Sequence, residues 1–224
     1  MPELVKVVFD IPVNDSFEYI SDGAKAKIGS RVRVSFGNST RIGVIIDVIA
    51  LESKLKKYKL KKIDEVIDEE PILTKEIFKT CKWAASYYHY PIGQVIFSAM
   101  TPLHRKQRRE PTNTIEIQHD ENDKQLTLNL SQKKIYNSLI KDKENFKVNV
   151  IRGVTGSGKT ELYVKLAERC IEGNSQVLVM VPEINLIPQT IERFKKYLSI
   201  VPLQYHSNLT PIQKYKVWKA CSIE

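Results

Sequence analysis

The segment Gly153-Val154-Thr155-Gly156-Ser157-Gly158-Lys159-Thr160 narrows the folds open to this chain more than any other. It fits the pattern G-x-x-x-x-G-K-[ST] at every defined position and sits between an apolar run and an amphipathic one. Such an octamer works only as a tight loop joining a strand to a helix. A triphosphate crowds several negative charges onto closely spaced oxygens. Glycines let consecutive backbone N–H groups turn inward around them, and the start of the following helix adds its positive end. In this reading Gly153, Val154, Thr155, Gly156, Ser157, Gly158 and Glu161 belong to a nucleotide-binding loop. Lys159 meets the outer phosphates, and the Thr160 hydroxyl is a ligand for Mg2+ carried by the nucleotide. Lys159 and Thr160 are the expected catalytic residues.

The surrounding pattern agrees with an α/β unit. FKVNVI, QVLVMV and VPLQYH are expected strands, and the helices expected between and after them are TELYVKLAERCIEG, IPQTIERFKKYL and the last fourteen residues. Alternation of this kind predicts a parallel sheet with right-handed crossovers. Hydrolysis would need a further acid to hold Mg2+ and orient water. Glu183 is the acid close behind the second of these strands.

The first half reads differently. VKVVFDIPV, FEYI, SRVRVSF and RIGVIIDVI are short apolar or alternating runs separated by turn residues, which suggests a small barrel or rolled sheet. A run with six lysines in nine positions, residues 54 to 62, precedes the acids Asp64, Glu65, Asp68, Glu69 and Glu70. From Thr74, a plausible helix cap, the period becomes helical, with Ile77, Phe78, Cys81, Ala84, Ala85 and Tyr88 on one face and Pro91 at its end. Residues 104 to 126 carry few core-forming side chains and read as a linker. The expected organisation is therefore a β-rich, barrel-like domain over 1–103, a linker over 104–126 and a partial P-loop domain over 127–224.

Composition sets the remaining limits. The net charge of +9 on 224 residues is spread over both halves, which suits a polyanionic partner, nucleic acid first. No apolar run is long enough to span a bilayer. Cys81, Cys170 and Cys221 are widely spaced, with no CxxC pair. That argues against a disulfide framework or a zinc site, and fits a cytoplasmic protein.

GVTGSGKTE, VLVMVPEINLIPQTIERF and LQYHSNLT together resemble the opening motifs of the primosomal protein N′ (PriA) replication-restart helicase family. IPVNDSFEYI, IGSRVRVSFG, RIGVIIDV, IDEEPILT and WAASYYHYPIGQVIFSAMTP resemble the family's N-terminal DNA-binding domain, in the same order. The resemblance implies a β-rich domain that binds DNA 3′ ends, followed by a partial RecA-like P-loop helicase lobe. It implies ATP with Mg2+, forked and single-stranded DNA, and as partners single-stranded DNA-binding protein and other primosome proteins. By residue, it places Phe17, Glu18, Tyr19, Gly37 and Lys61 in a pocket for the 3′ end. It places Gln132 beside the adenine and Gln189 and His206 on single-stranded DNA. Aromatic rings would stack on a base, Glu18 would accept from a base edge or terminal hydroxyl, and Lys61 would meet a phosphate. A terminal 3′-phosphate would be repelled by Glu18, expected to be buried. The plainer alternative is that Phe17 and Tyr19 only alternate along a strand.

Three departures accompany the likeness. Glu18 and Asn185 stand where the family usually has Asp and Gly. About 25 linker-like residues separate the halves, too few for the family's winged-helix domain. The DEAH-type motif, zinc-binding cysteines and second motor lobe are not in the sequence. Two functions are thus expected: an ATP-dependent helicase that unwinds DNA in the 3′→5′ direction, to which this chain contributes ATP and DNA binding, or a truncated, non-catalytic fork-binding module that holds ATP without turnover.

Overall fold

The computed structural model describes residues 2–22, 26–50, 60–68, 70–106, 115, 125–141 and 146–222. They divide into two compact units, residues 1–112 with 210–218, and residues 113–209 with 219–224. Most of the expected linker, and Lys54, Lys56, Lys57 and Lys59 of the lysine run, lie outside the described residues.

Five strands close the first unit into a barrel: β1 (Glu3–Val8), β2 (Phe17–Ser21), β3 (Arg31–Phe36), β4 (Ser39–Ala50) and β5 (Lys61–Val66), in the order β1-β2-β5-β3-β4. Strand β4 is long enough to pair with β3 through its first half and with β1 through its second. At the crossing lies Gly43, where a Cβ would stand 2.2 Å from Val7 Cγ1. A side chain there would push the two strands apart, so glycine makes the corner possible.

Period-2 alternation explains how the valines of β1 serve two faces. Val5, Val7, Val32, Val34 and Ile45 point into the barrel with Phe9 and Tyr19. Val8 and Val44 point outward, against Leu73, Phe78, Cys81, Ile96 and Phe97. Both faces are buried because helices cover one side of the barrel. These are α1 (Lys75–Tyr87) and α2 (Ile92–Ser98), with the short α3 (Pro102–Arg105) after them. Thr74 caps α1 by accepting from Ile77 N at 3.3 Å. Gly93 lets α2 lie directly on the chain at Phe9, whose carbonyl oxygen would be 2.0 Å from an added Cβ.

A buried ion pair fixes the barrel to its C-terminal segment. Arg31 Nη2 donates to Asp68 Oδ1 at 2.6 Å, Arg31 Nε reaches both carboxylate oxygens, and the Arg31 backbone N–H donates to Asp68 Oδ2 at 2.7 Å. Arg31 Nη1 then donates to the His104 carbonyl at 3.1 Å, which ties α3 into the same cluster. His104 is itself buried, and its ring packs edge-on against Tyr215 and Trp218.

Two expectations for this unit change. A fifth strand, β5, joins the four expected ones, and Tyr88 leaves the core face of α1. Tyr88 is 67% exposed because the helix stops at Tyr87 and the chain reverses through His89, at φ 52°. Phe78 and Cys81 alone of that expected face are buried.

The second unit contains α4 (Leu130–Leu139), α5 (Lys159–Glu172), a 3-10 turn at Ile184–Leu186, α6 (Ile187–Lys195) and only the last residues, from Lys219, of α7 (Pro211–Ser222). Helix α5 buries Leu162, Val164 and Ala167 and stops at Gly173. Pro188 lies in the first turn of α6, where its missing N–H is not needed. The three segments expected as strands are not paired into a ladder among the described residues. Phe146, Val148, Val150, Leu178 and Met180 are each at least 75% exposed. An apolar sequence can favour an extended backbone, but a strand also needs a neighbour at hydrogen-bonding distance. No helix among the described residues is long and apolar enough to cross a membrane.

Candidate nucleic-acid and nucleotide sites

Phe17, Glu18, Tyr19, Gly37 and Lys61 line one cavity of about 290 Å3, with Ser35, Phe36 and Leu60. Three separate elements bring them together. Strand β2 supplies the first three, the β3–β4 turn supplies Gly37, and β5 supplies Lys61. Parallel pairing sets Tyr19 opposite Lys61. Gly37 opens a two-residue hairpin turn at φ 59°, a conformation that favours glycine at the first turn position. Its carbonyl accepts from Lys61 Nζ at 3.3 Å, so the turn holds the ammonium at the cavity edge.

The aromatic residues have unequal roles. Tyr19 is 4% exposed, and its hydroxyl donates to the Ser35 carbonyl at 3.3 Å. Burial, and secondarily the Asp64 charge, raise its pKa above the ordinary phenol value. It is the rigid back wall. Phe17 is half-buried, with its ring edge-on to Phe36 at 4.9 Å, and presents more of itself to a ligand. Phe17 and Tyr19 thus share the inward face of β2, and Glu18 between them points out. Glu18 is exposed, contrary to the expectation that it is buried. Residue 18 of a strand whose neighbours at 17 and 19 face the core must face away.

In the second unit the glycine loop has the shape its sequence demands. Gly156 and Gly158 stand at φ 78° and 82°. A Cβ on Gly158 would meet Gln132 Nε2 at 2.2 Å, and one on Gly153 would meet Ser157 Oγ at 2.5 Å. Lys159 opens α5 and folds its ammonium over the loop, donating to the Gly153 and Val154 carbonyls at 2.7 and 2.9 Å. Gln132 is brought to the same loop. Its side chain completes a capping box with Asn129 at the start of α4, and its Nε2 donates to the Gly158 carbonyl at 3.1 Å. A glycine-punctuated cradle ending at a fourteen-residue helix fits a phosphate chain, and Thr160 beside it has the hydroxyl that Mg2+ coordination requires.

One residue at this loop escaped sequence reasoning. Arg193 Nη1, from α6, donates to Thr160 Oγ1 at 3.2 Å. Nothing local marks an arginine in the last turn of an amphipathic helix, and only the tertiary fold brings it to Thr160. Gln189 lies exposed on the same helix. His206 is half-buried, with its Nδ1 shielded and without a hydrogen-bond partner among the described residues. Contacts that would join Gln189 or His206 to the glycine loop are not seen among the described residues.

Comparison with known proteins matches the two halves separately. Residues 6–101 match a family described as 3′ DNA-binding domain (3′BD), of the PriA type. Residues 125–217 match the family described as type III restriction enzyme, res subunit. The replication restart protein PriA of Haemophilus influenzae is 27% identical over 96% of this chain and 40% of its own length. That of Borreliella burgdorferi is 31% identical over 95% of this chain and 32% of its own length. The Bacillus subtilis protein of the same name is 40% identical over 35% of this chain. The chain therefore spans two-fifths or less of the length of these relatives. The chain thus carries a 3′ DNA-binding domain of the PriA type followed by a helicase-like domain, and over most of its length it is similar to replication restart proteins PriA.

Proposed function

We propose that the barrel captures the 3′ end of a DNA strand at a stalled fork and that the second unit binds ATP with Mg2+. One observation carries the first part: five residues from three elements, implied by the family likeness, border a single cavity. In this reading the terminal base lies against Phe17, Lys61 neutralises a phosphate, and Glu18 takes the terminal hydroxyl. For the nucleotide, the loop 153–158 surrounds the phosphates, Lys159 leaves the loop carbonyls for the outer phosphates, and Thr160 leaves Arg193 for the metal. Bound ATP supplies the free energy that 3′→5′ unwinding consumes in the complete family architecture. Gln132 stays with the loop as a positioning residue, since its amide already serves Asn129 and Gly158. Gln189 and His206 are proposed contacts to single-stranded DNA. Forked DNA, single-stranded DNA-binding protein and other primosome proteins are the partners this reading names.

The test is the chemistry of the end. A fork with a free 3′-hydroxyl at its junction should bind better than the same fork ending in 3′-phosphate. With Glu18 exposed, the repulsion is that of a unit charge pair at about 4 Å in water, worth about fivefold at low salt. Glu18→Gln should erase it, keeping shape without charge. Equal affinities of the parent chain for both ends, titrated at one salt concentration, would refute the terminal-cavity reading. The alternative of ATP held without turnover is separated by an ATPase assay with and without forked DNA.

A further inference from the structure

A second concavity opens on the barrel unit, of about 400 Å3, where Arg33, Arg41, Arg105 and Lys106 face one carboxylate, Asp10. Strands β3 and β4 and the end of α3 each supply cations, so the clustering is a product of the fold and not of one basic stretch. Two of the four are already engaged. Arg33 pairs with Glu65. Arg105 donates to the Met100 and Ser98 carbonyls at 3.3 and 3.2 Å, which fixes its guanidinium against the cavity wall. Arg41 and Lys106 are exposed, and no carboxylate among the described residues pairs with either. The bottom is apolar, formed in part by the buried Phe9 and Phe97. A concave wall with surplus cations over a low-dielectric floor concentrates positive potential and selects an anion.

Its position says which anion. The Arg41 guanidinium lies 5.0 Å over the ring of Phe36, and Phe36 lines the cavity proposed for the 3′ end. Phe9, on the basic side, stands 4.7 Å from the same ring. The packed rings of Phe9 and Phe36 thus stand between the two cavities. Resting on the terminal-cavity reading, we propose that the basic cavity holds an internal phosphodiester of the strand whose 3′ end occupies the neighbouring cavity. Arg41 and Lys106 meet the phosphate, and the pinned Arg105 shapes the wall. The pair of cavities then reads a strand end and its direction together, because the backbone must leave the terminal site on the Phe36 side to reach the cations.

The experiment uses the full chain and short 3′-hydroxyl oligodeoxynucleotides, from a dinucleotide to an octanucleotide. A second series of octanucleotides carries one neutral methylphosphonate at each successive linkage. The parent should gain affinity with length and lose about tenfold when one particular linkage, a few nucleotides from the end, is neutralised. Lys106→Gln, which does not touch Phe36, should lose the gain with length and respond weakly to neutralising that linkage. Its salt dependence should fall by about 0.7 in log–log slope, the value for one phosphate contact on a single strand. Arg41→Gln should behave alike. Preference of the parent for dinucleotides ending in 3′-hydroxyl over 3′-phosphate reports on the terminal cavity by itself. If that preference holds while neutralisation costs the same at every linkage, the proposal is wrong and the surface is diffusely basic. A position-specific loss as large in Lys106→Gln and Arg41→Gln as in the parent would also overturn it. If the end preference is missing, the terminal reading fails first, and any position-specific loss then marks a phosphate site with no link to a strand end. Displacement by inorganic phosphate that ignores oligonucleotide length would equally overturn the shared-strand proposal.

Discussion

Asp68→Asn should be among the most destabilising single changes in the barrel unit, although it removes no more than a charge. Asp68 and Arg31 side chains are each about 6% exposed, and Asp68 accepts from the Arg31 side chain and the Arg31 backbone N–H. The amide keeps the shape but leaves a guanidinium buried opposite a neutral group, part of which now donates where it should accept. Breaking a buried pair in this way costs about 3–5 kcal/mol, because the remaining charge stays desolvated. For a unit of this size each kcal/mol lowers the melting temperature by about 4–8 °C, so a drop of at least about 12 °C is expected. The double change Arg31→Met with Asp68→Leu should recover most of the loss, since no uncompensated charge remains. Chemical denaturation of parent, single and double variants measures the free energies, and thermal melts of the same proteins the temperature shift. The reasoning fails if Asp68→Asn costs under about 1 kcal/mol, or if the double variant is less stable than the single one.

Other outcomes follow from the same geometry. Lys159→Ala should weaken binding of a fluorescent ATP analogue by about 2–3 kcal/mol and leave DNA-end binding nearly unchanged, as titrations of each ligand would show. Lys61→Ala should weaken forks carrying a nascent 3′ end more than forks without one, and equal loss on both would reduce Lys61 to a nonspecific contact. Cys81 is buried, which also pushes its thiol pKa up, while Cys170 and Cys221 are exposed. A thiol reagent at neutral pH should therefore label two cysteines quickly and the third only as the barrel unit unfolds; three fast cysteines would contradict the packing of α1 on the barrel.

Local signals make α5 and α6 legible in the sequence. The glycine loop fixes the start of α5, Gly173 its end, and Pro188 the start of α6, all through backbone chemistry that acts within a few residues. Four barrel strands were equally visible, because Val and Ile alternate or run continuously where one or both faces are covered. Strand β5 was not, since Lys61–Val66 reads KKIDEV and carries four charged residues outward. Its strand character comes from pairing with β2 and β3, a tertiary effect that no window of six residues contains. The candidate end site was half visible. Phe17, Glu18 and Tyr19 are contiguous, but Gly37 and Lys61 come from other elements, and without the family likeness their spacing carries no signal. The apolar runs at 146–151 and 176–181 show the converse: composition anticipates an extended backbone and says nothing of which edge will bond to it.

The seam between β2 and β5 is two register pairs long, Tyr19 with Lys61 and Ile20 with Lys62, while β1 and β4 share six. Among the described residues it is also the barrel's one parallel seam, the weaker kind of pairing per residue. The cylinder is therefore fastened least where Tyr19 pairs with Lys61, beside the cavity that Phe17 and Glu18 also line. A strand end bound as proposed would bridge those residues as a clasp across the weakest joint, and its binding would add RT ln(1 + [L]/Kd) to the free energy that keeps the cylinder shut. Amide hydrogens along β2 and β5 should exchange faster than those of β1 and β4 and slow selectively when a DNA end is present. Under the proposed role, recognition and closure of the barrel would be one equilibrium, and the domain would answer a bound strand end by becoming stiffer.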